Sequence, residues 1–138
     1  MTVYSLDKDT VTKLLKKHPG NERVVDRFRG ELKRNSLFII CPIVFFELRR
    51  ELVLKRAKVQ LSAFDDFVDA MKWGEFSPPV WRRASDLWSA LRGGGQPHQD
   101  ADVLIAAHAL EYGATIVTSN VRHFQFTGAS VEDWNASL

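Results

Sequence analysis

Residues 101–120 read ADVLIAAHALEYGATIVTSN, and the way this stretch divides decides the fold. Residues 101–113 predict a helix that stops at Gly113, the residue type that most readily takes the left-handed conformation closing helices. ATIVTSN (114–120) then predicts a strand running into a loop. The same alternation extends outward. VYSL (3–6) predicts a short strand, and Asp9 has the chemistry to cap a helix through TVTKLLKK (10–17) that stops before His18-Pro19-Gly20. A second helix is expected over 21–33. SLFII (36–40) follows as a buried strand, and Pro42 suits the first turn of a helix over PIVFFELRRELVLKRAK (42–58). Leu61, Phe64, Phe67, Val68 and Met71 recur at helical spacing, as do Trp81, Ala84, Leu87, Trp88 and Leu91 after Ser77-Pro78-Pro79. GGG at 93–95 with Pro97 marks the most flexible internal point, and ASVEDW (129–134) predicts a last short strand. Strands separated by helices favour an α/β fold with a parallel sheet covered on both faces.

The totals agree with one domain over residues 1–138. Hydrophobic residues make up 45% and charged residues 26%, an ordinary globular composition that argues against disorder or a fibrous repeat. Cys41 is the single cysteine, which excludes an intrachain disulfide, a thiolate zinc finger and a CxxC pair, and fits a reducing cytoplasm. No secretory leader pattern is visible and no apolar run nears the roughly 20 residues needed to span a bilayer, so a cytoplasmic protein without a membrane partner is expected. Nineteen Lys and Arg against 17 Asp and Glu give a formal +2, too small to indicate nucleic-acid binding by itself.

In an open parallel sheet, ligands bind outside the carboxyl ends of the strands, where loops and helix N-termini converge. Asp7 follows the first strand and Asn120 follows TIVTS. Asp102 opens the helix before that strand, and Glu47 lies one turn into the helix after FII. Four oxygen-bearing side chains from separate segments are thus drawn to one rim. Carboxylates and an amide oxygen suit hard divalent cations, Mg²⁺ above all. Such an ion can deprotonate a bound water and neutralise charge on a phosphodiester under attack. Each residue also has a plainer reading. Asp7 alone could be a turn residue, Asp102 an N-cap with Asp100 as competitor, and Asn120 a loop residue. Glu47 shares its helix face with Ile43 and Val44, where an ionised group needs a partner.

YSLDKDTVTKLL (4–15), PIVFFELRRE (42–51), GQPHQDADVLIAAHALEYGATIVTSNVRHF (95–124) and VEDW (131–134) together resemble PIN-domain endoribonucleases, specifically the VapC-like toxins of bacterial toxin–antitoxin pairs. The most specific part is the D-x-x-I-A-A-H-A-L succession followed by V-T-x-N-x-R-H-F. The resemblance implies a three-layer α/β/α PIN-like fold with a central parallel sheet of four or five strands. It also implies a Mg²⁺-dependent ribonuclease, with Mn²⁺ as possible substitute, in which Asp7, Glu47, Asp102 and Asn120 are catalytic and Asp7 and Asp102 hold the metal. Thr118 matches a hydroxyl position near that metal. RNA is the implied substrate and a cognate antitoxin the implied partner, in a homodimer and a toxin–antitoxin hetero-oligomer. One departure stands out: the family commonly has a small hydroxyl residue after its first Asp, where this chain has Lys8. Lys8 and Asn120 keep open a catalytically weak PIN module that acts by binding antitoxin or RNA, and a metal-dependent DNA nuclease is a further alternative.

The remaining candidates are read as structural. His18, His98, His108 and His123 lack HExxH or His-x-His spacing, and RGGGQ lacks the Gly-Lys-Ser/Thr of a P-loop. Trp73, Trp81, Trp88 and Trp134 suit packing better than RNA stacking. Arg49, Arg50, Arg82, Arg83 and Arg122 are expected on the solvated surface, with phosphates or antitoxin acids as the functional alternative.

Overall fold

The computed structural model describes residues 1–16 and 18–135. Five strands, β1 (Val3–Leu6), β2 (Leu37–Ile40), β3 (Lys72–Trp73), β4 (Thr115–Val117) and β5 (Ser130–Glu132), form one all-parallel sheet in the order β3-β2-β1-β4-β5. Six helices cover it: α1 (Lys8–Leu15), α2 (Glu22–Lys33), α3 (Pro42–Leu54), α4 (Lys58–Ala70), α5 (Pro78–Gly93) and α6 (Asp100–Tyr112). The three-layer α/β/α fold expected from the sequence is the one observed.

The period-2 alternation of strand side chains builds both cores. On one face Tyr4, Leu6, Phe38 and Val117 pack with Val11, Val24, Leu48, Phe64 and Trp134. On the other, Ile39 and Ile116 pack with Val44, Ile105, Ala106 and Ala109. Trp134 crosses Tyr4 edge-on at 5.2 Å, so it belongs to the core, as the sequence reading had it. Because β1 is central and every helix following a strand starts at that strand's carboxyl end, the N-termini of α1 and α3 gather at the same edge. The N-terminus of α6, whose chain runs back to feed β4, arrives there too. Among the described residues no helix is long and apolar enough to cross a membrane.

Three element boundaries differ from expectation. The N-cap of α1 is Asp7, not Asp9: its carboxylate accepts the Lys8 N–H at 2.8 Å. The cap of α6 is Gln99, so neither Asp100 nor Asp102 caps that helix. The helix expected over 42–58 stops at Leu54, and α4 begins at Lys58. There Arg56 takes φ 53°, the Arg56 N–H bonds to the Val53 carbonyl and the Ala57 N–H to the Leu52 carbonyl. This is the helix-closing pattern that usually employs glycine, performed by an arginine and therefore silent in composition. β3, two residues long, went unpredicted, and Lys17 of the first expected helix lies outside the described residues.

His108 is packed. It has no exposed surface, and its Nε2 lies 2.9 Å from the Gly74 carbonyl. Phe76 stacks on it at 5.3 Å and Tyr112 tilts against it at 4.7 Å. Burial pushes its imidazole below the usual range. A Cβ on Gly74 would stand 2.6 Å from His108 Nε2 and 3.2 Å from the Ile40 carbonyl oxygen. Gly74→Ala is therefore expected to destabilise the protein by about 1–3 kcal/mol through overpacking, read as a lower urea midpoint with unchanged slope. An unaltered midpoint would mean that the segment after β3 yields freely.

Candidate active site

Asp7 ends β1 at the middle of the sheet and is 8% exposed. Its backbone N–H donates to the Val117 carbonyl at 2.9 Å, continuing the pairing of β1 with β4. Its carboxylate accepts from the Lys8 N–H at 2.8 Å and from the Thr118 hydroxyl at 2.9 Å. Burial pushes the Asp7 carboxyl up to about 6, with the Lys8 and Thr118 hydrogen bonds opposing the rise and the Asp9 and Glu47 charges adding to it. An acid near neutrality at the end of a central parallel strand is the mark of a functional site more than of a turn.

Glu47, in the second turn of α3, is half-buried and lies close enough for its charge to act on Asp7 and on Cys41. Burial drives the Cys41 thiol to about 12, so the single cysteine beside the site is not a nucleophile. The sequence reading missed Asp9 as part of the rim. Its Oδ2 accepts from the Ser119 N–H at 2.8 Å and from the Ser119 hydroxyl, and its Oδ1 is 3.2 Å from Thr118 Oγ1. The signal was there: Asp9 stands two residues after the strand end, close enough to reach the neighbouring strand's loop. Asn120 is exposed, and its N–H donates to Thr118 Oγ1 at 3.0 Å.

Asp102 has different neighbours. Burial raises its carboxyl, and the charges opposing that rise belong to His123 and His98. His123 Nδ1 lies 3.8 Å from its Oδ2, an ion-pair distance rather than a hydrogen bond. Lys8, the departure from the family pattern, turns to α3, where its Nζ meets Glu51 at 2.7 Å, and its ammonium is raised chiefly by that bond. Glu51 is held low by the same contact.

Among the described residues no three His, Cys, Asp or Glu side chains stand close enough together to hold an ion by themselves. The donor chemistry nonetheless fits a hard cation. Mg²⁺ is commonly held by one or two carboxylates with waters completing the shell, and a cation would relieve the like charges crowding Asp7. Asp7, Glu47, Asp102 and Asn120 supply oxygen donors, and among the described residues His98 and His123 do not gather with Asp102 into a cluster that could hold zinc.

The all-parallel sheet covered by helices, with acids at its carboxyl edge, defines an α/β protein of nuclease-like fold. The PIN domain model matches residues 4–128, and the chain belongs to the PIN domain family. It is similar to Ribonuclease VapC2 of Rickettsia felis, 28% identical over 96% of this chain and 98% of that protein. The tRNA(fMet)-specific endonuclease VapC of Salmonella typhimurium is 26% identical, the match covering 97% and 99% of the two chains. Among solved structures, VapBC2 from Rickettsia felis bound to a promoter DNA fragment superposes with a TM-score of 0.85 at 26% identity, covering 96% of this chain and 99% of that one.

The raised Asp7 carboxyl carries a stability prediction. Its ordinary value is 3.8, so the unfolded chain releases this proton first as pH rises. Folding stability is therefore lost between about pH 4 and 6 and stays lower above that window, a gap worth about 3 kcal/mol. In chelator and without added metal, Asp7→Asn should raise the unfolding free energy by about 1–3 kcal/mol near pH 7.5, with the two proteins converging below about pH 4. A variant less stable than the parent at neutral pH would show that the carboxylate's hydrogen bonds outweigh its burial.

Proposed function

We propose that the protein is a metal-dependent endoribonuclease, the toxin of a VapBC-type toxin–antitoxin pair, silenced by a cognate antitoxin in a hetero-oligomer built on a toxin homodimer. The observation that carries this reading is the near-neutral, buried Asp7 with Glu47 beside it at the sheet's carboxyl edge, on a PIN domain that is similar nearly end to end to proteins named as VapC ribonucleases. Solved structures of DNA-bound VapBC2 from Rickettsia felis and VapBC from Salmonella typhimurium are among its structural neighbours, which supports the partner assignment.

Asp7 and Asp102 would hold the divalent ion, Mg²⁺ or in its place Mn²⁺. When bound, such an ion supplies Lewis acidity and charge neutralisation to phosphodiester hydrolysis. The chain's own residues then have separable tasks. Glu47 would orient the attacking water and accept its proton. Asn120 offers a neutral amide where a fourth carboxylate would add repulsion. The Thr118 hydroxyl carries one proton, so it donates to Asp7 or to Asp9 but not to both, and thereby fixes where the Asp7 carboxylate points. Lys8, tied to Glu51, is held on the α3 side of Asp7.

The test is cleavage of single-stranded RNA by purified protein free of antitoxin, with Mg²⁺, Mn²⁺ or chelator. Activity is expected with either metal, abolished by chelator, and reduced at least about a hundredfold in Asp7→Asn and Asp102→Asn. Unchanged cleavage in both variants would defeat the site assignment. DNA cleaved in preference to RNA would give the nuclease reading the other substrate. Growth arrest that survives Asp102→Asn would favour the binding module.

A further inference from the structure

The rim around Asp102 borders an open cavity of about 330 Å³, at the small end of ligand sites and roomy enough for one nucleotide. Asp102, Arg122, His123, Gln125 and Phe126 line it. Phe126 is 67% exposed and holds φ 67°, a backbone conformation that bulky residues rarely adopt. Other exposed aromatic rings have partners: Trp73 meets Phe45, Trp81 meets Phe76, Phe46 lies under Arg50 and Trp88 under Arg92. Among the described residues no ring or cation packs on Phe126.

The platform is also braced. His98 sets one ring nitrogen 2.7 Å from the Gln96 carbonyl and the other 2.7 Å from the Gln125 carbonyl. The imidazole thus lies between the loop entering α6 and the segment presenting Phe126, donating to one carbonyl when neutral and to both as the imidazolium. Arg122 at the same cavity forms no ion pair among the described residues, whereas Arg27, Arg34, Arg49 and Arg83 all do. An unpartnered ring and an unpaired guanidinium on a fixed support are the pair of groups that binds an unpaired base and its phosphate.

We infer that this cavity is a nucleotide subsite for single-stranded RNA, in which Phe126 stacks on one unpaired base and Arg122 takes the adjoining phosphate beside Asp102. The choice of RNA rests on the ribonuclease reading above. The strained Phe126 backbone is then the cost of aiming the ring outward, and Gln125 offers an amide to the base edge. Neither Phe126 nor His98 is needed for the fold's cores, which lie on the sheet faces.

The probe is a single-stranded RNA of about ten nucleotides carrying 2-aminopurine at successive positions, titrated in chelator so that no cleavage occurs. One position is expected to show a stacking change in emission. Phe126→Ala and Phe126→Gly should each weaken binding about tenfold and remove that change, whereas Phe126→Trp retains both. Gly relieves the positive φ, so the melting midpoint of Phe126→Gly should hold or rise, which separates lost binding from lost folding. Arg122→Ala should lower the slope of log affinity against log salt by about 0.7. Unchanged affinity in both Phe126 variants overturns the subsite, as does a parent protein that binds no RNA. It is equally overturned if Phe126→Ala spares RNA and instead releases a bound partner protein. Cleavage of the same RNA in Mg²⁺ is scored separately. Stacking without cleavage would sink the ribonuclease reading and leave the subsite, while cleavage with indifferent Phe126 variants would do the reverse.

Discussion

One residue has to satisfy three hydrogen-bonding demands at the end of β1. The Asp7 N–H completes the rung to Val117 at 2.9 Å, its carbonyl accepts the Val11 N–H at 3.1 Å, and its carboxylate takes the otherwise orphaned Lys8 N–H and the Thr118 hydroxyl. A neutral Asn or Ser could serve as cap and rung, since both are good N-caps. Only a carboxylate brings charge with it. That charge is buried, adjoins Asp9 and Glu47, and is consequently hard to ionise. The carboxylate that starts α1 as its cap is the one proposed to hold the metal, so on that reading the fold positions the acid by using it structurally.

The rim is electrostatically two-sided. On the α1 and α3 side stand Asp7, Asp9, Glu47 and Glu51, with the Lys8 ammonium 2.7 Å from Glu51. On the α6 side Asp102 is accompanied by His123, His98 and Arg122. A phosphodiester approaching from the first side meets repulsion, and from the second meets guanidinium and imidazole donors. Coulomb energies at such surfaces are modest, but they are enough to bias the direction of approach.

Most of the architecture was legible because it depends on local patterns. The helix-stop Gly113 has φ 61° as its position implied, and the alternation in VYSL and SLFII places Tyr4 and Phe38 on one face and Ile39 on the other. What escaped depends on contacts distant in sequence or on residues acting out of type. β3 has only two residues and exists because Ile39 and Ile40 pair with Lys72 and Trp73. The break near Arg56 uses a charged residue in a conformation glycine usually takes. Asp9 has cap chemistry, yet Asp7 already occupies the cap, which frees Asp9 to grip Ser119 across the strand boundary. Topology accounts for Asp7 and Asp102 standing at strand and helix ends, whereas their different neighbours, Asp9 and Glu47 for one and His123 and His98 for the other, come from contacts that spacing does not encode.

The same division explains how Lys8 can stand beside Asp7 in this chain. Glu47 and Glu51 are four residues apart on α3 and therefore share a face, an arrangement that costs a helix a few tenths of a kcal/mol when both are ionised. An ammonium from α1 placed between them offsets that repulsion and links the two helices. Its bond is to Glu51, the member of the pair farther along α3, and both side chains are about 40% exposed, so solvent screens the pair and its net contribution is small. A small hydroxyl at position 8 would leave Glu51 without this cation, while a Lys reaching toward Asp7 would have pulled the Asp7 carboxyl down rather than leaving it near 6. The Asp7 carboxyl stays raised because its burial outweighs the hydrogen bonds from the Lys8 N–H and Thr118, while the Lys8 ammonium makes its hydrogen bond to Glu51.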